Sequence, residues 1–173
     1  MLGTVDEGRE DVLDTEIDAF AVVVFREEGR WQAGSLPAVL TGDLDGLIAA
    51  VRQQTAQGDA IALVNVADEF FVVVRVQPGR VRLLLSDVTA ADEWDLAGQV
   101  LDALDLALPP EEDLDQVWPA GDVGIFTDLG LDEMELGAIL SDLDAYADEM
   151  LSAVARRLGF ADVYDRVVDA FVD

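Results

Sequence analysis

The chain has 173 residues, 51% of them apolar, and a formal charge of −27. It contains no cysteine and no histidine, and all ten basic residues are arginines. Disulfides, thiolate or imidazole metal sites, thiol nucleophiles, lysine Schiff bases and the commonest general base are therefore excluded.

The charge is uneven. Residues 1–17 hold six acids and one arginine (−5), residues 18–108 hold 14 acids and six arginines (−8), and residues 109–173 hold 17 acids and three arginines (−14). Such a field repels nucleic-acid phosphates and anionic membranes over a Debye length, about 10 Å at 0.1 M salt. Direct nucleic-acid binding is not expected, and a basic protein surface is the natural complement. Amino-acid usage biased toward solubility accounts for the same charge. No apolar run approaches the roughly 20 residues of a membrane span. Met1 to Glu16 lacks the basic-then-apolar pattern of a secretory leader, so a cytoplasmic location is expected.

Taken in order, residues 1–17 read as an acidic flexible tail. Asp18 to Phe25 is apolar on both alternating sets and reads as a strand; Glu27-Glu28-Gly29 is a hairpin loop; Arg30 to Leu36 is a more polar strand, with Pro37 ending it. Asp43 opens a helix whose Leu44, Leu47, Ile48 and Val51 form one stripe, closed by Gly58. The segment AIALVNVADEFFVVVRVQPGRVRLLLS, residues 60–86, is the most definite part of the chain. It reads as three strands, with turns at Asp68-Glu69 and at Pro78-Gly79. Two of the strands are apolar on both faces, so the sheet is expected to be covered on both sides, by helices or by a partner. Asp87 to Leu106 reads as a helical region with Leu96, Val100, Leu101 and Leu104 in register.

Pro109 to Gly121 reads as an acidic, proline-rich linker. Beyond it lies a helical segment, residues 122–173. A short helix is expected over Asp122 to Leu129, stopped by Gly130. A second is capped by Asp132-x-x-Glu135, a third by Asp144, with Gly159 as its C′ residue, and a last one covers Ala161 to Val172. The expected class is α+β: a mostly antiparallel five-stranded sheet in the order β-β-α-β-β-β-α over residues 18–108, then the small helical segment. The order resembles a profilin-like or roadblock-like sandwich lacking its first helix, an analogy that gives no function.

Two groups of residues invite a binding role. If Pro78 and Gly79 centre a type II turn, Gln77 faces Arg80, Val76 faces Val81 and Arg75 faces Arg82. Arg75, Arg80 and Arg82 then crowd one face, which is destabilising without an anion. Acids of the same chain, a partner's carboxylates or a phosphate would relieve it; three solvated arginines splaying apart is the plainer reading. The second group is acidic: Glu111, Glu112, Asp113 and Asp115 with Trp118, then Asp132 and Glu133. These are candidate contacts to a basic partner, against the plainer reading of a solvated linker and a helix cap. Asp43-x-Asp45-Gly46 fails as a calcium loop, because Leu47 stands where an oxygen ligand is needed and Gln54 where a bidentate acid is needed; acids favouring a helix N-terminus explain it. Trp31, Trp94 and Trp118 read first as edge packing within the chain. No catalytic, cofactor or metal set is found.

The stretches DAFAVVVFREEGRWQAG (18–34), DEFFVVVRV (68–76), LLLSD (83–87), GDVGIFTDLGLDEMELGAIL (121–140) and RRLGFADVYD (156–165) together resemble the actinobacterial tRNA adenosine deaminase-associated protein family. The resemblance covers most of residues 18–168 and lies in the combined layout, since no piece is a catalytic signature. It implies association with a tRNA-editing zinc deaminase and transfers no active site. The deaminase itself needs H-x-E and P-C-x-x-C to hold zinc and its water, so this chain is not that enzyme. The expected role is a non-catalytic acidic accessory protein docking on the enzyme's basic surface, with the 109–173 segment supplying most of the attraction. A self-associating roadblock-like scaffold, dimerising through the sheet or the helix at 43–54, is the alternative. An enzyme working with acids alone is a third and more remote reading.

Overall fold

The computed structural model describes residues 19–54, 58–113 and 117–172. The 1–17 stretch expected as a tail, and Asp115, lie outside these residues. The centre is one antiparallel sheet of strands β1 (Ala19–Glu27), β2 (Arg30–Leu36), β3 (Ala60–Val66), β4 (Phe70–Gln77), β5 (Arg80–Leu85) and β6 (Ala120–Gly121), in the order β2-β1-β3-β4-β5-β6. The register expected from Pro78-Gly79 is the observed one: Gln77 pairs with Arg80, Val76 with Val81 and Arg75 with Arg82. Gly79 takes the positive φ, 72°, that a type II turn requires.

Every residue of β3 is buried, because both faces of the sheet are covered by the chain's own helices. On the first face, Ala62, Val64, Val72, Val74, Leu83 and Leu85 pack against α1 (Leu44–Arg52) and α2 (Asp95–Ala103). On the second, Val22, Val24, Leu63, Phe71, Val73 and Leu84 pack against α3 (Glu133–Leu140), α4 (Ala147–Leu158) and α5 (Ala161–Val172). The helices of 122–173 therefore form the outer layer of the same core. Trp31 stacks edge-on against Phe160, with ring centroids 5.0 Å apart, which ties β2 to the α4–α5 corner.

Four expectations are corrected. The sheet has six strands, not five, and a profilin-like sandwich does not describe it. The sixth strand comes from the end of the stretch read as linker, where Asp122 N–H donates to Leu83 O at 2.9 Å and Ala120 pairs with Leu85. Its two residues are too few for any periodicity to reveal. The helix expected over 122–129 is a series of turns with a 3-10 helix only at Thr127–Leu129. Its Ile125 carbonyl accepts from Arg75, and its Gly124 carbonyl accepts from Arg82 as well as from Thr127 N–H. The region after Asp87 is divided into a 3-10 helix, Val88–Asp92, and α2, with Trp94 at the α2 N-cap. Finally, Asp144 does not cap α4. That helix begins at Ala147, and its first amides are met by Asp68, which reaches across from the β3–β4 turn.

Gly121 sits at φ 104°, and a Cβ there would lie 2.4 Å from the Leu83 carbonyl oxygen, which is backbone and cannot swing aside. Gly121→Ala is expected to cost about 2 kcal/mol or more from the left-handed strain and the clash. Gly98→Ala, inside α2 with open space around it, should instead stabilise by roughly 0.5–1 kcal/mol. Urea denaturation midpoints of the two variants check the opposite signs.

Candidate functional site

The two ends of the second sheet face carry opposite electrostatic arrangements. At the end near the β4–β5 turn, Arg75 and Arg82 face each other across the strands. Arg75 is 1% exposed, yet each of its five N–H donors has a partner. Nε and Nη2 bond the two Asp59 oxygens at 3.1 and 2.9 Å. Nη1 and Nη2 bond the two Asp128 oxygens at 2.7 and 2.9 Å, and Nη1 also bonds Ile125 O at 2.7 Å. Arg82 bonds Asp122 at 2.6 Å and Gly124 O at 2.8 Å. Acids of the same chain thus fill the candidate anion spot, and the picture of solvated, splayed arginines does not hold for Arg75 and Arg82. Arg80 alone of the three is fully at the surface. Burial opposes the charge on Arg75, but the bonds to Asp128 and Asp59 outweigh it and hold the group above its ordinary value. The Arg82 and Arg75 bonds hold Asp122 and Asp128 below the usual carboxylate range.

The other end, at the β3–β4 turn, has carboxylates held by neutral donors. Ala67 and Asp68 both take positive φ, 54° and 61°. Buried Asn65 stabilises this turn: its Oδ1 accepts from Asp68 N–H at 2.9 Å and its Nδ2 donates to Asp68 Oδ1 at 3.2 Å. Asp68 Oδ1 also accepts from Asp148 N–H at 2.9 Å. Desolvation, then the neighbouring Asp68 charge, pushes the Asp148 carboxyl up.

Beside this turn lies a cleft of about 460 Å³ between the 87–94 segment and the α3–α4 connection. Its carboxylates are Asp68, Glu69, Asp87, Asp92, Glu93 and Asp142, and no arginine among the described residues lines it. Several are positioned by neutral groups: Trp94 Nε1–H donates to Glu69 at 2.9 Å, Thr89 N–H and O–H donate to Asp87 at 3.0 and 2.7 Å, and Asp144 N–H donates to Asp142 at 3.1 Å. Apolar walls come from Phe70, Leu140 and Met150, and Leu143, Tyr146 and Val117 stand on them largely exposed. The cleft was not legible in the sequence, because its walls come from four separated stretches.

The acidic residues singled out in the sequence are placed otherwise. Glu111 and Glu112 are exposed in a 3-10 turn that ends at half-buried Asp113. Asp132 is the N-cap of α3, its Oδ1 accepting from Glu135 N–H at 2.8 Å, and Glu133 is exposed in the first turn. No hydrogen bond among the described residues links the two groups. Trp118 is half-buried on the first-face core and its carbonyl accepts from Val88 N–H at 2.8 Å, which pins this stretch beside the sheet. Val117, next to it, reaches the cleft. Asp43 Oδ1 accepts from Gly46 N–H at 3.0 Å, the helix-capping role expected of it.

Comparison with known proteins gives one consistent result. Residues 19–161 match the family model described as Rv3753c-like tRNA adenosine deaminase-associated protein. The chain is similar to Protein Rv3753c of Mycobacterium tuberculosis, with 46% identity over 155 residues, 88% of each chain. No solved structure matches it.

The Arg75 network sets a testable order of stabilities. Asp59 and Asp128 are 44% and 55% exposed, so water can take over their solvation when the arginine is removed. Arg75→Met is therefore expected to cost only about 1–2 kcal/mol. The double change Asp59→Asn and Asp128→Asn strands a buried guanidinium and should cost about 3–5 kcal/mol. Asp128, held below its ordinary 3.8, contributes stability that is full above that value and fades as pH falls through the lowered one. The stability gap between wild type and Asp128→Asn, followed by urea titration from neutral pH into acid, should shrink; a gap that widens in acid contradicts the assignment.

Proposed function

Because this chain belongs to the Rv3753c-like tRNA adenosine deaminase-associated protein family, we propose that it is a non-catalytic accessory protein of the cytoplasm that docks on a basic surface of a tRNA adenosine deaminase. One observation carries this reading. Two arginines, Arg75 and Arg82, are taken up by Asp59, Asp122 and Asp128 at one end of the sheet, whereas the six carboxylates lining the cleft beside the β3–β4 turn have no arginine among the described residues of that lining. An enzyme that acts on tRNA presents cationic surface to the phosphate backbone. An acidic protein is complementary to that surface, and its binding either holds the enzyme from its substrate or chaperones it. The charges of Glu111, Glu112, Asp113, Asp115, Asp132 and Glu133 add to the same field. The absence of histidine, cysteine and lysine from the chain agrees with a partner that does no chemistry of its own.

A self-associating scaffold is less well supported. Both sheet faces are covered by the chain's own helices, and α1 turns its apolar stripe inward, so neither of the surfaces expected to dimerise is bare.

Capture of the host's tRNA adenosine deaminase on the immobilised full chain tests the proposal. Binding is expected at about 50 mM salt and should fall steeply toward about 500 mM, where the Debye length drops to roughly 4 Å. Capture that is unchanged by salt, or absent at both, overturns it. Deleting 109–173 is unsuitable as a control, because it strips the helices from Leu63, Phe71 and Val73; charge-neutralising substitutions keep the fold.

A further inference from the structure

Resting on that accessory-protein reading, we propose that the cleft beside the β3–β4 turn is the docking site, and that its occupant is a short basic segment of the partner protein, carrying arginine or lysine together with a large apolar side chain.

Charge complementarity selects the basic component. Six carboxylates line the cleft with no arginine beside them among the described residues, whereas Asp59, Asp122 and Asp128 at the opposite end of the sheet are ion-paired. Glu69, Asp87 and Asp142 are oriented by Trp94, Thr89 and the Asp144 amide. These donors are neutral, so they fix the carboxylates in place and leave their charge uncancelled. A guanidinium or ammonium arriving there meets preorganised acceptors, which lowers the ordering cost of binding.

The apolar component follows from the walls. Leu143 is 78% exposed, Tyr146 65% and Val117 49%, and all three stand on this cleft. Large exposed apolar side chains gathered at one concave place mark an interaction surface more than scattered ones do. Phe70, Leu140 and Met150 continue the apolar lining inward. A volume of about 460 Å³ takes a few side chains of a segment rather than the face of a globular domain. Anionic lipid and nucleic acid are repelled by the same carboxylates.

The test uses the full chain and a defined probe, an acetylated and amidated hexapeptide of alternating arginine and leucine, followed by amide and indole NMR shifts. Shifts are expected at Glu69, Leu143, Tyr146 and the Trp94 Nε1–H. Two variants remove equal charge: Asp92→Asn/Glu93→Gln/Asp142→Asn at the cleft and Glu27→Gln/Glu28→Gln/Asp45→Asn at exposed positions outside its lining. The first should weaken peptide binding about tenfold, close to 1.4 kcal/mol, and the second by less than about twofold. Leu143→Ser should weaken it roughly fivefold. Equal losses in the two triple variants mean non-specific attraction to net charge and overturn the proposal, as do shifts centred outside the cleft. A concentration-dependent dimer by light scattering that Leu143→Ser abolishes would assign the cleft to a second copy instead. The same variants against the deaminase separate the two readings. Deaminase binding indifferent to the cleft variants overturns the site and leaves the accessory role standing. Peptide binding at the cleft without any capture of the deaminase overturns the accessory role and leaves the site standing.

Discussion

A buried arginine organises this fold. Arg75 sits inside a strand whose neighbours are phenylalanine and valine, at 1% exposure, on the sheet face that must receive the helices. A lone guanidinium there would cost several kcal/mol in lost hydration. Asp59 enters from the approach to β3 and Asp128 from the far side of the chain, with the Ile125 carbonyl between, and every donor is met. Satisfying the arginine therefore dictates where the 122–129 stretch lies. Arg82 repeats the arrangement one strand over with Asp122 and Gly124. With that stretch in place, Ile125 and Phe126 are delivered to the apolar face, and α3, α4 and α5 can follow.

At the opposite end of the sheet, Asp68 performs the reciprocal task with no cation. Its turn is held left-handed by Asn65, and its carbonyl and carboxylate receive the first amides of α4. The helical layer is thus attached at one end through ion pairs and at the other through amide hydrogen bonds, with apolar packing between. This asymmetry also sorts the surface charge. Three arginine–carboxylate ion pairs lie near the β4–β5 turn, and the β3–β4 end keeps its negative charge beside exposed Leu143 and Tyr146. A fold that stabilises itself in this way is left with an unneutralised acidic surface, which suits a chain from a deaminase-associated family.

Much was legible from the order of residues because the forces involved are local. Apolar residues on both alternating sets of 61–66 and 70–74 require a sheet covered on both faces, whatever covers it. Pro78-Gly79 sets its own register, and from it the facing of Arg75 and Arg82 and the need for an anion follow. Asp132 and Asp43 cap helices that begin beside them. The identity of the anion was not legible, since any of 37 acids could serve. Asp128 lies 53 residues from Arg75 and is chosen by three-dimensional proximity alone. The prolines and acids of 109–121 suggested a linker, and the two-residue β6 within it leaves no pattern to read. Asp144 was an adequate local cap for α4, yet Asp68 takes the position, because a cap from the sheet also docks the helix.

By itself, then, the sequence determined the class of fold, the strand register at the second hairpin, the exclusion of thiol, imidazole and lysine chemistry, and the acidity of the chain. These rest on composition and on interactions spanning a few residues. The tertiary structure alone decided which acids are ion-paired and which remain open, that the helices of 122–173 form the second layer of one core, and that Glu69, Trp94 and Leu143 border one cleft. Those outcomes depend on groups brought together from distant parts of the chain, where burial and hydrogen-bond geometry, and not sequence spacing, select the partner.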